Sequence, residues 1–114
     1  RDVAINTCMD LYDFAMNLRD TAKKDLRDHA MLEIFDCLLL RIEDHLAALH
    51  VYRLGLLEGA SFDPSSMRII KTTPAGDAAP FMVMKVHRDA WVAKHPSRAV
   101  PGSIVMTAHV TITV

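Results

Sequence analysis

The chain has 114 residues, a formal net charge of −1, and a composition that is 51% hydrophobic and 24% charged. That balance supports a buried core, in one ordinary domain or in a helical part followed by a small β part, and excludes a disordered chain. The near-neutral charge argues against non-specific nucleic-acid binding and a polybasic membrane anchor, and no apolar run approaches the roughly 18–20 residues a membrane span requires.

Residues 2–20 read as a helix. Ile5, Cys8, Met9, Tyr12, Ala15 and Met16 mark one apolar face, and Ala4, Leu11, Phe14 and Leu18 add a second. Two apolar faces on one helix predict contacts on two sides, as in a bundle. The polar stretch 20–28 joins this helix to another at about 29–50. There Leu32, Phe35, Leu39, Ile42, Leu46 and Leu49 succeed one another at steps of three and four. Such steps place all six on one helical seam, packed against a helix of the same chain or of a second copy. Arg41, Glu43, Asp44 and His45 supply part of the solvated face.

The helical pattern weakens near His50, and Gly55, Gly59, Phe62-Asp63-Pro64 and Ser65-Ser66 punctuate the next stretch of chain. A short strand is expected over Met67–Lys71, a loop over Thr73–Pro80, a strand over Phe81–His87, and a second loop over His95–Gly102. The tail from Ile104 to Val114 alternates. Ile104, Met106, Ala108, Val110, Ile112 and Val114 face one way, and Thr107, His109, Thr111 and Thr113 the other. That is the period of a half-buried strand rich in β-branched residues. The fold class read from this order is α+β: two antiparallel bundle helices (1–54) followed by a small, mostly antiparallel β-domain (55–114).

Nothing in the sequence makes a positive case for an enzyme. The six histidines lack zinc spacing and there is no HExxH; His45 and His50 are five apart and face different ways on a helix. His87, His95 and His109 read as surface or partly buried histidines. Asp10 with Asp13, and Glu43 with Asp44, read as the solvated edge of a bundle rather than as catalytic pairs. No Walker loop, GxSxG or GxGxxG occurs. Cys8 and Cys37, without CxxC, read as two buried thiols in a reducing cytosol, and Met82, Met84 and Met106 as filling for a β core. No cofactor or metal is expected.

The order of elements and several residues resemble the GrpE family, the nucleotide exchange factors of DnaK-type chaperones. Met9-Asp-Leu-Tyr-Asp-Phe-Ala-Met16 is similar to a pattern in the family's first bundle helix, and Met31–Asp44 with its continuation to Val51 is similar to the second. Phe62-Asp63-Pro64 matches the entrance to the β-domain, Val83–Val86 falls on a family strand, and Ala108-His109-Val110-Thr111-Ile112 resembles the closing strand. Departures include Ala90-Trp91 where the family has Gly-Tyr, His50 near its helix-ending Gly, and Met106-Thr107 where it places an arginine. The family's long N-terminal helix is not among these residues.

The resemblance implies a cytoplasmic co-chaperone of the stress response that binds a DnaK-type ATPase domain and promotes ADP release. It also implies a homodimer through the helices, with Leu32, Phe35, Leu39, Ile42, Leu46 and Leu49 at the contact. Lys71, Arg88, Trp91, Lys94 and Arg98 are the expected chaperone-contact residues, since Trp and Arg are common interface anchors. The alternative is a GrpE-like adaptor or assembly protein without exchange activity.

Overall fold

A computed structural model describes residues 3–25, 29–94 and 102–114. The fold is α+β: helices α1 (Val3–Asp25) and α2 (His29–Ala48) are followed by six short strands. These are β1 (Val51–Arg53), β2 (Met67–Thr73), β3 (Val83–Arg88), β4 (Trp91–Ala93), β5 (Ser103–Met106) and β6 (Ala108–Thr113). The chain divides into two compact units, Arg1–Val51 and Tyr52–Val114.

In the helical unit α1 and α2 pack as an antiparallel hairpin. Tyr12 Oη donates to Glu43 Oε1 at 2.9 Å, and two turns further along α1 Arg19 pairs with Asp36. Glu43 is therefore half-buried and engaged, not solvated as its sequence neighbourhood suggested. Met9, Tyr12 and Ala15 are buried on α1, and Leu39, Ile42 and Leu46 on α2. The helix-compatible stretch 20–25 extends α1, with Lys23 and Lys24 in its last turn, where cations complement the helix dipole. At the end of α2, Leu49 N and His50 N donate to the carbonyls of Leu46 and Ala47 at 2.9 and 3.0 Å. His50 closes this turn at φ 62°, a left-handed conformation that usually selects glycine.

In the second unit the strands form two three-stranded sheets, ordered β1-β4-β5 and β2-β6-β3. β3 runs antiparallel to β6 and β4 antiparallel to β5, while β2 runs parallel to β6. The Phe-Asp-Pro turn sets the start of β2. The Asp63 carboxylate accepts from Ser65 N (3.0 Å), Ser65 Oγ (2.8 Å) and Ser66 Oγ (3.2 Å), and its carbonyl accepts from Met67 N at 2.9 Å. The bonds to the carboxylate hold it below its usual pKa range. Met67, Val83, Ala90, Ala108, Val110 and Ile112 form the β core, with Leu56, Ala60, Phe62 and Val86 packed against it.

Several sequence expectations change here. The tail is two strands rather than one, broken at Thr107, and its halves belong to different sheets. Thr111 and Thr113, expected on the solvated side, are buried at 7% and 1% exposure with their hydroxyls satisfied. Thr111 Oγ1 lies 2.7 Å from His87 Nε2; Thr113 Oγ1 donates to Ala79 O at 2.7 Å and accepts from Met82 N at 3.0 Å. The strand expected from Phe81 starts only at Val83, because Phe81 sits at φ 59°. Of the methionines assigned to the β core, Met84 is half exposed and Met82 and Met106 are partly so, whereas Met67 and Met9 are the buried ones. Cys37 is exposed and Cys8 only half-buried.

Candidate functional site

Two surfaces stand out, one in each unit. In the helical unit, the six seam residues divide. Leu39, Ile42 and Leu46 are buried within the chain at 7% exposure or less, Leu32 and Phe35 are half-buried, and Leu49 is 41% exposed. Leu39, Ile42 and Leu46, expected at a dimer contact, are already covered within one chain and have little area left for a second copy.

The apolar area that remains uncovered lies one residue over. Leu11, Phe14 and Leu18 on α1 are 47%, 62% and 44% exposed, and Met31, Ile34 and Leu38 on α2 are 40%, 62% and 42% exposed. Each trio steps by three and four, so each is a single helical stripe. The Tyr12–Glu43 bond lies on one side of the hairpin seam, above an open groove of about 400 Å³ lined by Met16, Arg19, Asp36 and Leu40 among others. With 3.6 residues per turn, both exposed stripes fall on the other side, and the Tyr12–Glu43 and Arg19–Asp36 pairings stagger them along the hairpin so that they come level at Leu18 and Leu38.

In the β unit the second surface is the outer face of the β2-β6-β3 sheet. Ala108, Val110 and Ile112 point into the core, so His109 and Thr111 of β6 point away from it. Arg68 of β2 and Arg88 of β3 are both register partners of His109. Lys71 of β2 and Lys85 of β3 are both register partners of Thr111. Cross-strand partners share a face, which gives two rows: Arg68–His109–Arg88 and Lys71–Thr111–Lys85. His87 joins the second row through its bond to Thr111.

Burial lowers the pKa of His87 first, and Lys85 and Lys71 lower it further. Burial likewise leads for His109, followed by Arg88, Arg68 and His87. Every charged neighbour acting on either imidazole is basic. Arg88 also donates through Nη2 to Thr107 O at 3.0 Å and lies 3.1 Å from His109 Nε2, which orients its guanidinium along the sheet.

The chaperone-contact residues expected from sequence are scattered over this unit. Lys71 is exposed on the sheet face, and Arg88 is half-buried on the same face. Lys94 is exposed, with Nζ 5.6 Å from the centre of the Tyr52 ring. Trp91 is wholly buried at 0% exposure, which corrects its expected role as an exposed anchor: a large apolar ring in so small a unit is needed inside. Arg98 lies outside the described residues. Sequence reasoning missed Arg68, Lys85, His87 and His109 as a group. Only the strand register brings them together.

Among the described residues, no three His, Cys, Asp or Glu side chains converge as a metal site, and no helix is long and apolar enough to cross a membrane. No protein-family model matches the chain, and no curated protein matches it significantly.

Proposed function

We propose that the chain is a GrpE-like co-chaperone. It binds the ATPase domain of a DnaK-type chaperone in the cytoplasm and promotes ADP release by binding rather than by bond-making chemistry. The observation that carries this reading is the second apolar face of the hairpin, formed by Leu11, Phe14, Leu18, Met31, Ile34 and Leu38. A helical hairpin that keeps such a face uncovered suits pairing with a second copy, and in a two-fold dimer the same patch meets itself. The hairpin is followed in the chain by a β unit with exposed cations, the order that the resemblance leads one to expect.

The exchange mechanism is differential affinity. A β unit that binds the open ATPase domain better than the ADP-closed one shifts the population toward the open form, and ADP leaves faster. A tenfold preference corresponds to about 1.4 kcal/mol, which a few well-placed side chains supply.

A second reading, an adaptor or assembly protein without exchange activity, draws on the state of the β unit's basic and aromatic residues. Trp91 is buried, and Arg88 is committed to Thr107 and His109. The release rate of a fluorescent ADP analogue from a DnaK-type chaperone, measured with and without the chain, separates the two. Acceleration supports exchange activity. Binding without acceleration supports the adaptor. A chain that neither binds nor accelerates overturns both.

A further inference from the structure

We infer that the outer face of the β2-β6-β3 sheet is a docking surface for an acidic protein segment, held by Arg68, Lys71, Lys85 and Arg88 around His87 and His109. This inference goes beyond the exchange-factor reading and stands without it.

Three irregularities in the sheet carry the argument. Between Ile69 and Lys71 the register shifts, so that Lys71 rather than Ile70 sits opposite Thr111. Between Val83 and Lys85 it shifts again, so that Lys85 rather than Met84 takes the other side of Thr111. A third shift, between Val86 and Arg88, sets Arg88 opposite His109. In an unbroken register the sites beside Thr111 would hold Ile70 and Met84. Each bulge instead aims a cation at the face, and bulges commonly re-aim side chains at functional positions.

The result is electrostatically costly to the isolated unit. Strands lie about 4.8 Å apart, so the flanking members of each row stand about 10 Å apart across β6. At that spacing two cations repel weakly in water and more strongly where a sheet excludes solvent. Among the described residues no carboxylate pairs with Arg68, Lys71 or Lys85 to offset this. The charged groups facing the two imidazoles are these same cations. A chain of net charge −1 has thus concentrated basic side chains on one face. The complement is a surface rich in carboxylates.

The chemistry of the face favours protein over nucleic acid. β2, β3 and β6 contain no Phe, Tyr or Trp, so the imidazoles of His87 and His109 are the face's only rings, and a chain of net charge −1 lacks the overall basic excess that nucleic-acid binding draws on. Ile70 and Met84, next to Lys71 and Lys85 at the bulges, are 49% and 50% exposed, so apolar area borders the cations, as it does in protein interfaces.

The test is a titration of the ¹⁵N-labelled full chain with a polyglutamate peptide at low salt, tracked by amide shifts. Shifts are expected to cluster on β2, β6 and β3 and to fade as salt is raised. K71E/K85E is expected to weaken binding about tenfold or more, since both side chains are exposed and each reversal turns an attraction into a repulsion. K71Q/K85Q, which removes charge without reversing it, provides the same test if the reversal disturbs folding. Shifts confined to another surface, no binding at low salt, or unchanged binding by a folded double variant overturns the inference. So does tighter binding of a thymidine oligonucleotide of equal charge to the same face.

Discussion

Substituting Phe14→Ala tests which apolar seam of the hairpin pairs with a second copy. Phe14 is 62% exposed. A phenylalanine buries roughly 200 Å² when fully covered, so about 120 Å² of Phe14 is left for a partner. At about 25 cal/mol per Å² that area is worth about 3 kcal/mol, of which truncation to Ala removes about 2 kcal/mol per copy. A two-fold dimer loses this twice, about 4 kcal/mol in all. Only part of buried area appears as affinity, so a loss of about thirtyfold or more in dimerisation is the expected result. Sedimentation equilibrium over a range of concentrations measures it. Two controls sharpen the reading. Leu46→Ala, at a wholly buried position, is expected to cost about 2–5 kcal/mol of folding stability in urea unfolding through the cavity it leaves. Leu49→Ala, at the exposed end of the other seam, is expected to leave dimerisation unchanged. The reasoning fails if Leu49→Ala dissociates the dimer while Phe14→Ala does not, or if the parent chain stays monomeric at every concentration.

Local geometry sets three other expected outcomes. His50→Gly is expected to raise stability by about 1 kcal/mol, read as a higher urea midpoint at unchanged slope, because His50 holds a left-handed conformation that costs glycine little. Asp89→Ala is expected to lower stability by about 1–3 kcal/mol, since one carboxylate accepts from Arg53 Nη1 at 3.0 Å, Gly55 N at 3.1 Å, Leu56 N at 3.2 Å and Ala90 N at 2.8 Å. His87 and His109 titrate below their usual value in the folded chain, so the unfolded chain takes up protons first as pH falls. Their contribution to stability is present above about pH 6.5, declines as pH drops through the folded values and levels off below them. Urea midpoints from pH 8 to pH 5 are expected to trace that decline, and a His87→Gln/His109→Gln double variant to flatten it.

The helical hairpin was largely legible in sequence because a helix writes its buried face at steps of three and four. What the spacing did not say is what covers each stripe. The stripe of Leu39, Ile42 and Leu46 is the most regular in the chain and is used up inside it. The stripe beginning Met31, Ile34 and Leu38 continues through Arg41 and His45, which hides its periodicity, yet that is the one left exposed. In the β unit the alternation after Ile104 correctly put Ala108, Val110 and Ile112 in the core. It could not reveal the break at Thr107, because alternation continues unchanged when a chain passes from one sheet to another. The three-residue strands Val51–Arg53 and Trp91–Ala93 are too short to carry a period at all.

Net charge hides placement in the same way. With 13 basic and 14 acidic residues the chain is nearly neutral, and neutrality argues against binding nucleic acid by bulk attraction alone. A sum over the chain says nothing about where the charges meet. Arg68 and Lys71 are far in sequence from Lys85 and Arg88, and His109 is farther still, so no window along the chain is basic enough to attract notice. One parallel and one antiparallel pairing to the same central strand bring them onto one face, and three register shifts turn Lys71, Lys85 and Arg88 toward it. Had β2 and β3 paired without bulges, Ile70 and Met84 would flank Thr111, Val86 would face His109, and of the four cations only Arg68 would keep its place. Its charge is thus a property of the register, and a change that restores regular pairing is expected to alter partner choice while leaving composition almost untouched.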